Sequence, residues 1–116
     1  MTAKASDVVV AVDLGGTKIL AAVVDRAGKV LCRVKVKTPV AAGYRAVLTE
    51  IAQCVRGAIK SCRVPRSNIL AVGIGVPGPL NPEAGVVKVA PNLGWTDVPV
   101  RAILEKRPAR FGGQED

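Results

Sequence analysis

The stretch DLGGTK, residues 13–18, combines residue types that together suit the phosphate groups of a ligand. Gly15 and Gly16 let the backbone approach an anion closely and point amide groups at it. Thr17 adds a hydroxyl donor, and Lys18 adds a point charge for phosphate oxygens. Asp13 would repel a bare phosphate, but its carboxylate suits a magnesium ion held between the two, directly or through water. The stretch predicts a phosphate-binding loop with a metal at Asp13; the alternative is an ordinary glycine hairpin with an acid beside it.

The apolar pattern around this loop predicts a mixed sheet and one long helix. Three strands joined by tight turns predict an antiparallel meander, of which the first, with its run VVVAV, is typical of a strand buried on both faces. A helical period follows, and then a strand that is apolar throughout. We expect this last strand to be central and parallel to the first, because a helix precedes it. The predicted strands are Asp7–Asp13, Ile19–Asp25, Val30–Val36, Ile69–Val76 and Gly85–Val89, and the predicted helices are Ala42–Cys62 and about Pro99–Arg107.

Length and composition predict one α/β domain or one lobe of a larger protein, and the patterned elements extend over residues 7–107. Hydrophobic residues make up 49% of the 116, most of them small or β-branched, and this share is enough for a packed core. Residues 1–6 are polar and are expected to be a frayed start. Residues 108–116 have no apolar period and are expected to be a tail that does not belong to the domain.

Charge and cysteine content narrow the possible partners. The formal net charge is +8, but the basic residues are spread out and no aromatic residues interleave with them, so we expect a solvated surface and no nucleic-acid partner. No apolar run is long enough to span a membrane, and no signal peptide is visible. The three cysteines form no Cys-x-x-Cys pair and there is no histidine, which excludes mixed Cys/His metal sites. These features predict a cytoplasmic protein in which Cys54 and Cys62 pack inward from the helix.

Four separated segments resemble the N-terminal lobe of the ROK family of repressors, open reading frames and sugar kinases, with bacterial glucokinases as the nearest type. They are VDLGGTK, GIGVPGPLNPEAGVV, APNLGW and VPV, and the resemblance runs from about Val8 to Arg107. It implies a ribonuclease H-like lobe of the actin-like ATPase superfamily. That implication agrees with the predicted order of three strands, a helix and a fourth strand.

The resemblance also implies roles for named residues. Asp13, Gly15, Gly16, Thr17 and Lys18 match the family's ATP-phosphate loop, with Mg²⁺ at Asp13.

A second set, within the sugar-side loop of residues 75–92, matches segments that border the sugar pocket: Gly75, Gly78, Pro79 and Asn92. A Pro-Gly-Pro turn gives a rigid backbone wall that a hydroxyl-rich ligand can approach at Gly78. For Gly73 and Gly75 the alternative is close helix–strand packing, and Asn92 could be an ordinary turn residue. We expect Trp95 to pack at the edge of the lobe rather than to form a sugar platform.

No catalytic residue is assigned. In the family the catalytic base is an aspartate in a Glu-Asn-Asp-type segment just after the helix that here ends near Arg107, whereas this chain continues as RPARFGGQED. Asp116 has no adjoining asparagine and does not receive the role. The family's cysteine-rich zinc motif and its second-lobe glutamates are also absent. The resemblance therefore implies a fragment of a hexose kinase that uses ATP and Mg²⁺ and is inactive alone, lacking a C-terminal lobe or self-associating through the exposed apolar surface.

A non-enzymatic alternative is a fragment of a sugar-sensing ROK regulator. Such proteins carry a helix-turn-helix before the sugar-binding lobes, and here only residues 1–6 precede the first predicted strand. The intact phosphate loop also favours ATP use over sensing alone. A weaker third possibility is a small phosphate-binding module that works with a separate partner chain.

Overall fold

The computed structural model describes residues 6–106, which form two sheets and two helices. The first sheet contains β1 (Val8–Leu14), β2 (Lys18–Asp25), β3 (Val30–Lys37) and β4 (Ile69–Gly75). Its strand order is β3-β2-β1-β4, in which β1 pairs antiparallel with β2 and parallel with β4. Helix α1 (Tyr44–Cys62) connects β3 to β4. The predicted meander, helix and parallel fourth strand are confirmed.

One face of this sheet and the inner face of α1 form the core. Alternate residues of β1 and β2 are buried, and so is the apolar stripe of the helix. The largest fully buried side chains are Leu14, Ile19, Leu48, Ile51, Val10, Val23, Val47 and Val55. The other face of β1, including Val9 at 37% exposure, has no such cover. The prediction that β1 is buried on both faces is therefore wrong for the described residues.

The predicted central position of β4 is also wrong for residues 6–106. β1 is the neighbour of β4 on one side, and the strands that follow β4 pair with one another in a separate sheet instead of adding to its other side. Apolar residues on both faces of a strand indicate contacts on both faces, but they do not specify a hydrogen-bonded neighbour on each side. Leu70, which is 50% exposed, lies at an irregularity in the β1–β4 pairing.

The second sheet is small and antiparallel, with order β5-β6-β7. Its strands are β5 (Leu80–Asn81), β6 (Val86–Ala90) and β7 (Trp95–Val98), and helix α2 (Val100–Glu105) follows. The strand predicted at Gly85–Val89 corresponds to β6. β5 and β7 are not among the predicted strands, because both are too short to show a period. Trp95 is 3% exposed and belongs to the core, as expected.

The three cysteines differ in their surroundings. Cys32 of β3 and Cys62 at the end of α1 are joined by a disulfide, with their Cα atoms 6.0 Å apart. Cys54 is free and buried, as predicted, and burial raises the pKa of its thiol, with a smaller contribution from the Glu50 carboxylate. Cys62 packs against the core, as predicted, and it does so joined to Cys32 of β3. No helix among residues 6–106 has the length and apolar character needed to cross a bilayer.

Candidate functional site

The phosphate loop is the turn between β1 and β2. The Gly15 amide donates to the Lys18 carbonyl oxygen at 2.9 Å, which closes the hairpin. A Cβ on Gly15 would lie 3.0 Å from that same oxygen, so the position tolerates little beyond glycine. The Gly15 amide is thus used inside the hairpin and is not free to face an anion, the role that the sequence analysis predicted for it.

The amides of Gly16 and Thr17 have no hydrogen-bond partner among residues 6–106. Gly16 is half-buried and Thr17 is exposed. Neighbouring amides that project from a tight turn form a concave donor group of the kind that binds anions. The Gly16 amide, one of the two amides predicted to face an anion, is therefore available, and the Thr17 amide adds a donor that was not predicted.

Thr38 holds this loop from behind, and the sequence analysis did not identify it. Its amide donates to the Thr17 carbonyl oxygen at 2.9 Å, and its Oγ1 hydroxyl donates to the Gly15 carbonyl oxygen at 2.8 Å. The side chain is 9% exposed. The carbonyl oxygens of Gly15 and Thr17 both accept hydrogen bonds from Thr38. Their partial negative charges are thus engaged by Thr38 and do not oppose an anion at the free amides. A threonine directly after a predicted strand was the available signal, but its partner could not be known without the fold.

Lys37 is a second residue that the sequence analysis missed. It lies directly opposite Lys18 in the pairing of β2 with β3, and both side chains are exposed. Like charges directly opposite each other on neighbouring strands are destabilising. An anion bound beside them would relieve this repulsion, so the two lysines favour a negatively charged ligand at this end of the sheet.

Asp13 lies near the carboxyl end of β1, just before the loop. It pairs with Leu20 of β2 on one side and with Gly75 of β4 on the other. Its side chain is exposed on the face opposite α1. β1 and β4 are parallel, and ligands of α/β sheets bind beyond the carboxyl ends of parallel strands. The register thus brings Asp13 of the phosphate loop next to Gly75 of the sugar-side loop.

The donor set suits magnesium better than a protein-enclosed metal. Among residues 6–106 there is no group of three or more histidine, cysteine or acidic side chains that could hold a metal ion. Mg²⁺ is commonly held by one or two carboxylates together with phosphate oxygens and water. A single carboxylate at Asp13 fits that requirement only when a phosphate ligand supplies further oxygens.

The glycines of β4 keep the surface beside Asp13 clear. A Cβ on Gly73 would meet nothing within 4 Å, and one on Gly75 would only touch the Val12 carbonyl oxygen at 3.8 Å. Close packing against a helix, the alternative proposed for these glycines, therefore does not occur among the described residues. Both positions pair with β1 residues on the uncovered face, Ala11 and Asp13. The surface next to Asp13 is therefore free of side chains at these two positions.

Asn92 connects the two predicted loops. It lies in a short 3₁₀ turn, Pro91–Leu93, directly after β6. A Cβ on Gly16 would come 3.2 Å from the Asn92 Cβ, which shows how closely the sugar-side segment approaches the phosphate loop. Two segments far apart in sequence thus meet at one place, with Asp13, Gly16, Gly75 and Asn92 around it.

Gly78 and Pro79 are bound to β6. A Cβ on Gly78 would collide with the Val89 carbonyl oxygen, and the Pro79 carbonyl oxygen accepts a hydrogen bond of 2.9 Å from the Lys88 amide. The absence of a side chain at Gly78 is therefore explained by packing within the second sheet. The sugar contact expected for these two residues remains a prediction.

Comparison with known proteins gives a family match over most of the chain. A profile of the ROK family matches residues 9–110. Glucokinases and xylose repressors both occur among the curated relatives. The glucokinase of Streptomyces coelicolor is 42% identical over 98 residues, which cover 84% of this chain and 29% of that protein.

Two solved structures show the same fold. The ROK hexokinase of Thermus thermophilus has a TM-score of 0.76 and 38% identity, with 90% of this chain and 32% of that chain covered. The ROK family glucokinase of Streptomyces griseus, determined with glucose and AMPPNP, has a TM-score of 0.76 and 32% identity. It covers 92% of this chain and 38% of its own. The chain thus spans about a third of the length of these relatives, and its fold is that of the actin-like ATPase superfamily.

Proposed function

The chain belongs to the ROK family, and we propose that it forms the N-terminal lobe of an ATP-dependent hexose kinase of the glucokinase type. The observation that carries the proposal is the pair of free amides at Gly16 and Thr17, with Lys18 and Asp13 beside them. The relatives named glucokinase or hexokinase and the neighbour determined with glucose and AMPPNP support the substrate class.

The residues would divide the work as follows. The amides of Gly16 and Thr17 hold oxygens of the terminal phosphates, and the ammonium groups of Lys18 and Lys37 offset their charge. Asp13 holds Mg²⁺ directly or through water, and the ion neutralises charge on the phosphates when it is bound. Gly75, Gly78, Pro79 and Asn92 border the sugar. Since these groups need not rearrange, they lower the barrier by fixed positioning and electrostatics.

Neither Asp97 nor Glu83 suits the role of catalytic base. Asp97 lies in β7 and pairs with Lys88 at 3.8 Å, and Glu83 lies in the turn between β5 and β6. The segment after Arg107, in which the resemblance implies the base, lies outside the described residues. We propose that residues 1–116 alone bind nucleotide without turning over sugar.

The side of β4 away from β1 is a candidate position for the following strand. β1 is the only neighbour of β4 among the described residues, and an apolar cavity of about 370 Å³ lies beside it, lined in part by Val72, Ile74 and Leu104. An unpaired apolar edge also favours pairing between copies, so self-association of the isolated chain is part of the proposal. Its measure is a concentration-dependent mass in light scattering.

A cytoplasmic location follows from the use of ATP and belongs to the same proposal. In that reducing compartment Cys32 and Cys62 would be held as thiols, because glutathione and thioredoxin keep cytosolic disulfides reduced. The bridge would then form on oxidation of the purified chain.

Nucleotide binding by the 116-residue chain is the first test. We expect magnesium-dependent binding of ATP in calorimetry, reduced at least about tenfold by Asp13→Asn and by Lys18→Ala, since each removes a charge at the phosphates. Lys29→Ala is the control, because Lys29 is an exposed lysine in the turn before β3. Equal binding by all three variants would contradict the proposal. Binding of glucose with no effect of nucleotide would favour the sugar-sensing regulator, which the xylose repressors among the relatives represent.

Turnover is tested in a chimera. Residues 1–106 would replace the matching segment of the Streptomyces coelicolor glucokinase, which is 42% identical. We expect glucose phosphorylation by the chimera and its loss with Asp13→Asn. A folded chimera that binds ATP and glucose but transfers no phosphoryl group would show that this lobe is not that of a kinase.

A further inference from the structure

A second cavity, far from the phosphate loop, lies at the C-terminal half of α1. Its volume is about 560 Å³, within the range of small-molecule sites. α1 runs back along the sheet from the loop end, and Arg66 begins the short 3₁₀ turn that leads into β4. The cavity therefore lies at the amino ends of β1 and β4. Seven-residue strands separate it from the phosphate loop by about 20 Å. The lining residues are Gln53, Arg56, Gly57, Ile59, Lys60, Val64 and Arg66.

Gly57 opens the floor of this cavity. Glycine is unfavourable inside a helix, and α1 extends well beyond it on both sides. A Cβ at Gly57 would meet nothing within 4 Å, so no neighbouring atom requires the missing side chain. Packing therefore gives no reason for glycine here. The effect of the residue is the open space above it.

The rim of the cavity is cationic. Arg56, Lys60 and Arg66 line it, and none of its lining residues is acidic. Arg56 and Lys60 are four residues apart on one helix face, where like charges repel. The partial negative charge at the helix C-terminus favours Lys60, but it acts only within the last turn and does not account for Arg56. A bound anion would compensate both cations.

The remaining lining groups suit an anion with an uncharged body. Ile59 is buried and Val64 is half-buried, which gives an apolar base, while the exposed Gln53 side chain offers an amide at the edge. Guanidinium groups bind phosphate in a bidentate manner. We propose that this cavity binds a small phosphate-bearing anion, with Arg56, Lys60 and Arg66 around the phosphate and Gly57 below it. The proposal does not depend on nucleotide binding at the other end of the sheet.

The test is titration of the ¹⁵N-labelled 116-residue chain, followed by amide chemical shifts. The probes are glucose 6-phosphate and inorganic phosphate, with glucose as the neutral control. We expect saturable shifts at Gln53, Gly57 and Lys60 with at least one phosphate probe and none with glucose. Tighter binding of glucose 6-phosphate than of inorganic phosphate would identify a sugar phosphate as the ligand; equal affinity would identify free phosphate. Shifts confined to Gly15, Gly16 and Thr17 would overturn the proposal.

Two matched variants separate a built cavity from general surface charge. Arg56→Gln with Lys60→Gln should weaken phosphate binding at least tenfold, whereas Lys29→Gln with Arg33→Gln, which removes the same charges elsewhere, should leave it unchanged. Gly57→Met keeps every charge but fills the floor, and it should abolish binding while the circular dichroism spectrum stays that of the parent. Equal loss in both charge pairs, or full binding by folded Gly57→Met, would refute the site.

Discussion

The first sheet is built from strands of seven or eight residues and packs on a 19-residue helix, whereas the second has strands of two, five and four residues and a six-residue helix. Each sheet supplies one loop of the candidate site. In the first, the phosphate loop is closed by one hairpin bond and held from behind by Thr38. In the second, the sugar-side loop is held by packing of Gly78 on Val89 and by Arg101, whose guanidinium donates to the carbonyl oxygens of Pro82 and Glu83.

The difference shows that glycines in the two loops serve opposite needs. Gly16 leaves an amide free and lies next to Asn92, so it leaves an open surface that a ligand could contact. Gly78 removes a side chain so that two backbone segments can touch, so it completes a surface within the protein. A glycine in such a motif thus indicates that another group comes close to the backbone. Whether that group is a ligand or another segment of the protein depends on the fold.

The largest effect is expected from the core of the first sheet. Ile51 is fully buried between α1 and the sheet, and Ile51→Ala should lower the free energy of unfolding by about 2–5 kcal/mol, the usual cost of such a cavity. Leu104→Ala, at a buried position of the short helix α2, should cost less, because a six-residue helix can settle into the space. Urea denaturation measures both. An equal or larger loss for Leu104→Ala would remove the contrast between the two sheets.

Reduction of the Cys32–Cys62 bridge should have the next largest effect. The bridge joins residues 30 positions apart. Opening it gives the unfolded chain more conformational entropy, which should lower the free energy of unfolding by about 3–4 kcal/mol for a loop of that length. Thermal unfolding with and without dithiothreitol should show the loss, and Cys32→Ser should make the chain insensitive to the reductant. Cys54→Ala, at the free buried cysteine, should keep the sensitivity. If dithiothreitol did not change the thermal unfolding of the parent chain, the bridge would not stabilise the first sheet.

Gly78→Ala should cost about 1–3 kcal/mol, since the new methyl group would collide with the Val89 carbonyl and force β5 and β6 apart. Gly73→Ala is the control, because a Cβ there meets nothing. Denaturation of the two variants side by side is the measurement. If Gly78→Ala were as stable as the parent but lost sugar binding in the chimera, the glycine would serve the ligand and not the sheet.

A smaller loss of stability is expected at Thr38. Thr38→Val removes the hydroxyl bond to the Gly15 carbonyl at nearly constant shape, and should cost about 1 kcal/mol. Because this bond orients the loop, the variant should also weaken ATP binding. Thr17→Val, on the exposed side of the same loop, should weaken ATP binding with no change in stability. Unchanged nucleotide affinity in Thr38→Val would show that the loop does not depend on its rear contact.

The first sheet could be predicted closely because its signals are long. The helical period continues over nearly twenty residues, and tight turns separate the strands. The predicted bounds of these elements therefore agree with the observed ones to within a residue or two. The second sheet could not, since β5 and β7 have too few residues for a period and their pairing depends on contacts distant in sequence. The position of β4 within the sheet could not be predicted either, because the apolar content of a strand does not distinguish an edge strand from a central one.

The candidate site was predictable in its residue types and not in their use. The acid, glycines, threonine and lysine of residues 13–18 were identified from the sequence, yet which amides are free depends on the hairpin bond from Gly15 to Lys18. Thr38 and Lys37 join the site through pairing of β3 with its neighbours, and no local pattern marks them. The disulfide likewise joins residues thirty positions apart whose proximity only the packing of α1 on β3 creates.

The irregularity at Leu70 sets the phase of β4. Val8 of β1 pairs with Ile69 but Val9 pairs with Ala71, so one residue of β4 is passed over before the ladder continues to Asp13 and Gly75. Side chains alternate between faces along a strand. If β4 continued from the Val8–Ile69 pair without passing over Leu70, Ile74 and not Gly75 would lie opposite Asp13. The meeting of the two loops therefore depends on an irregularity at the opposite end of β4, one strand length away from the candidate site.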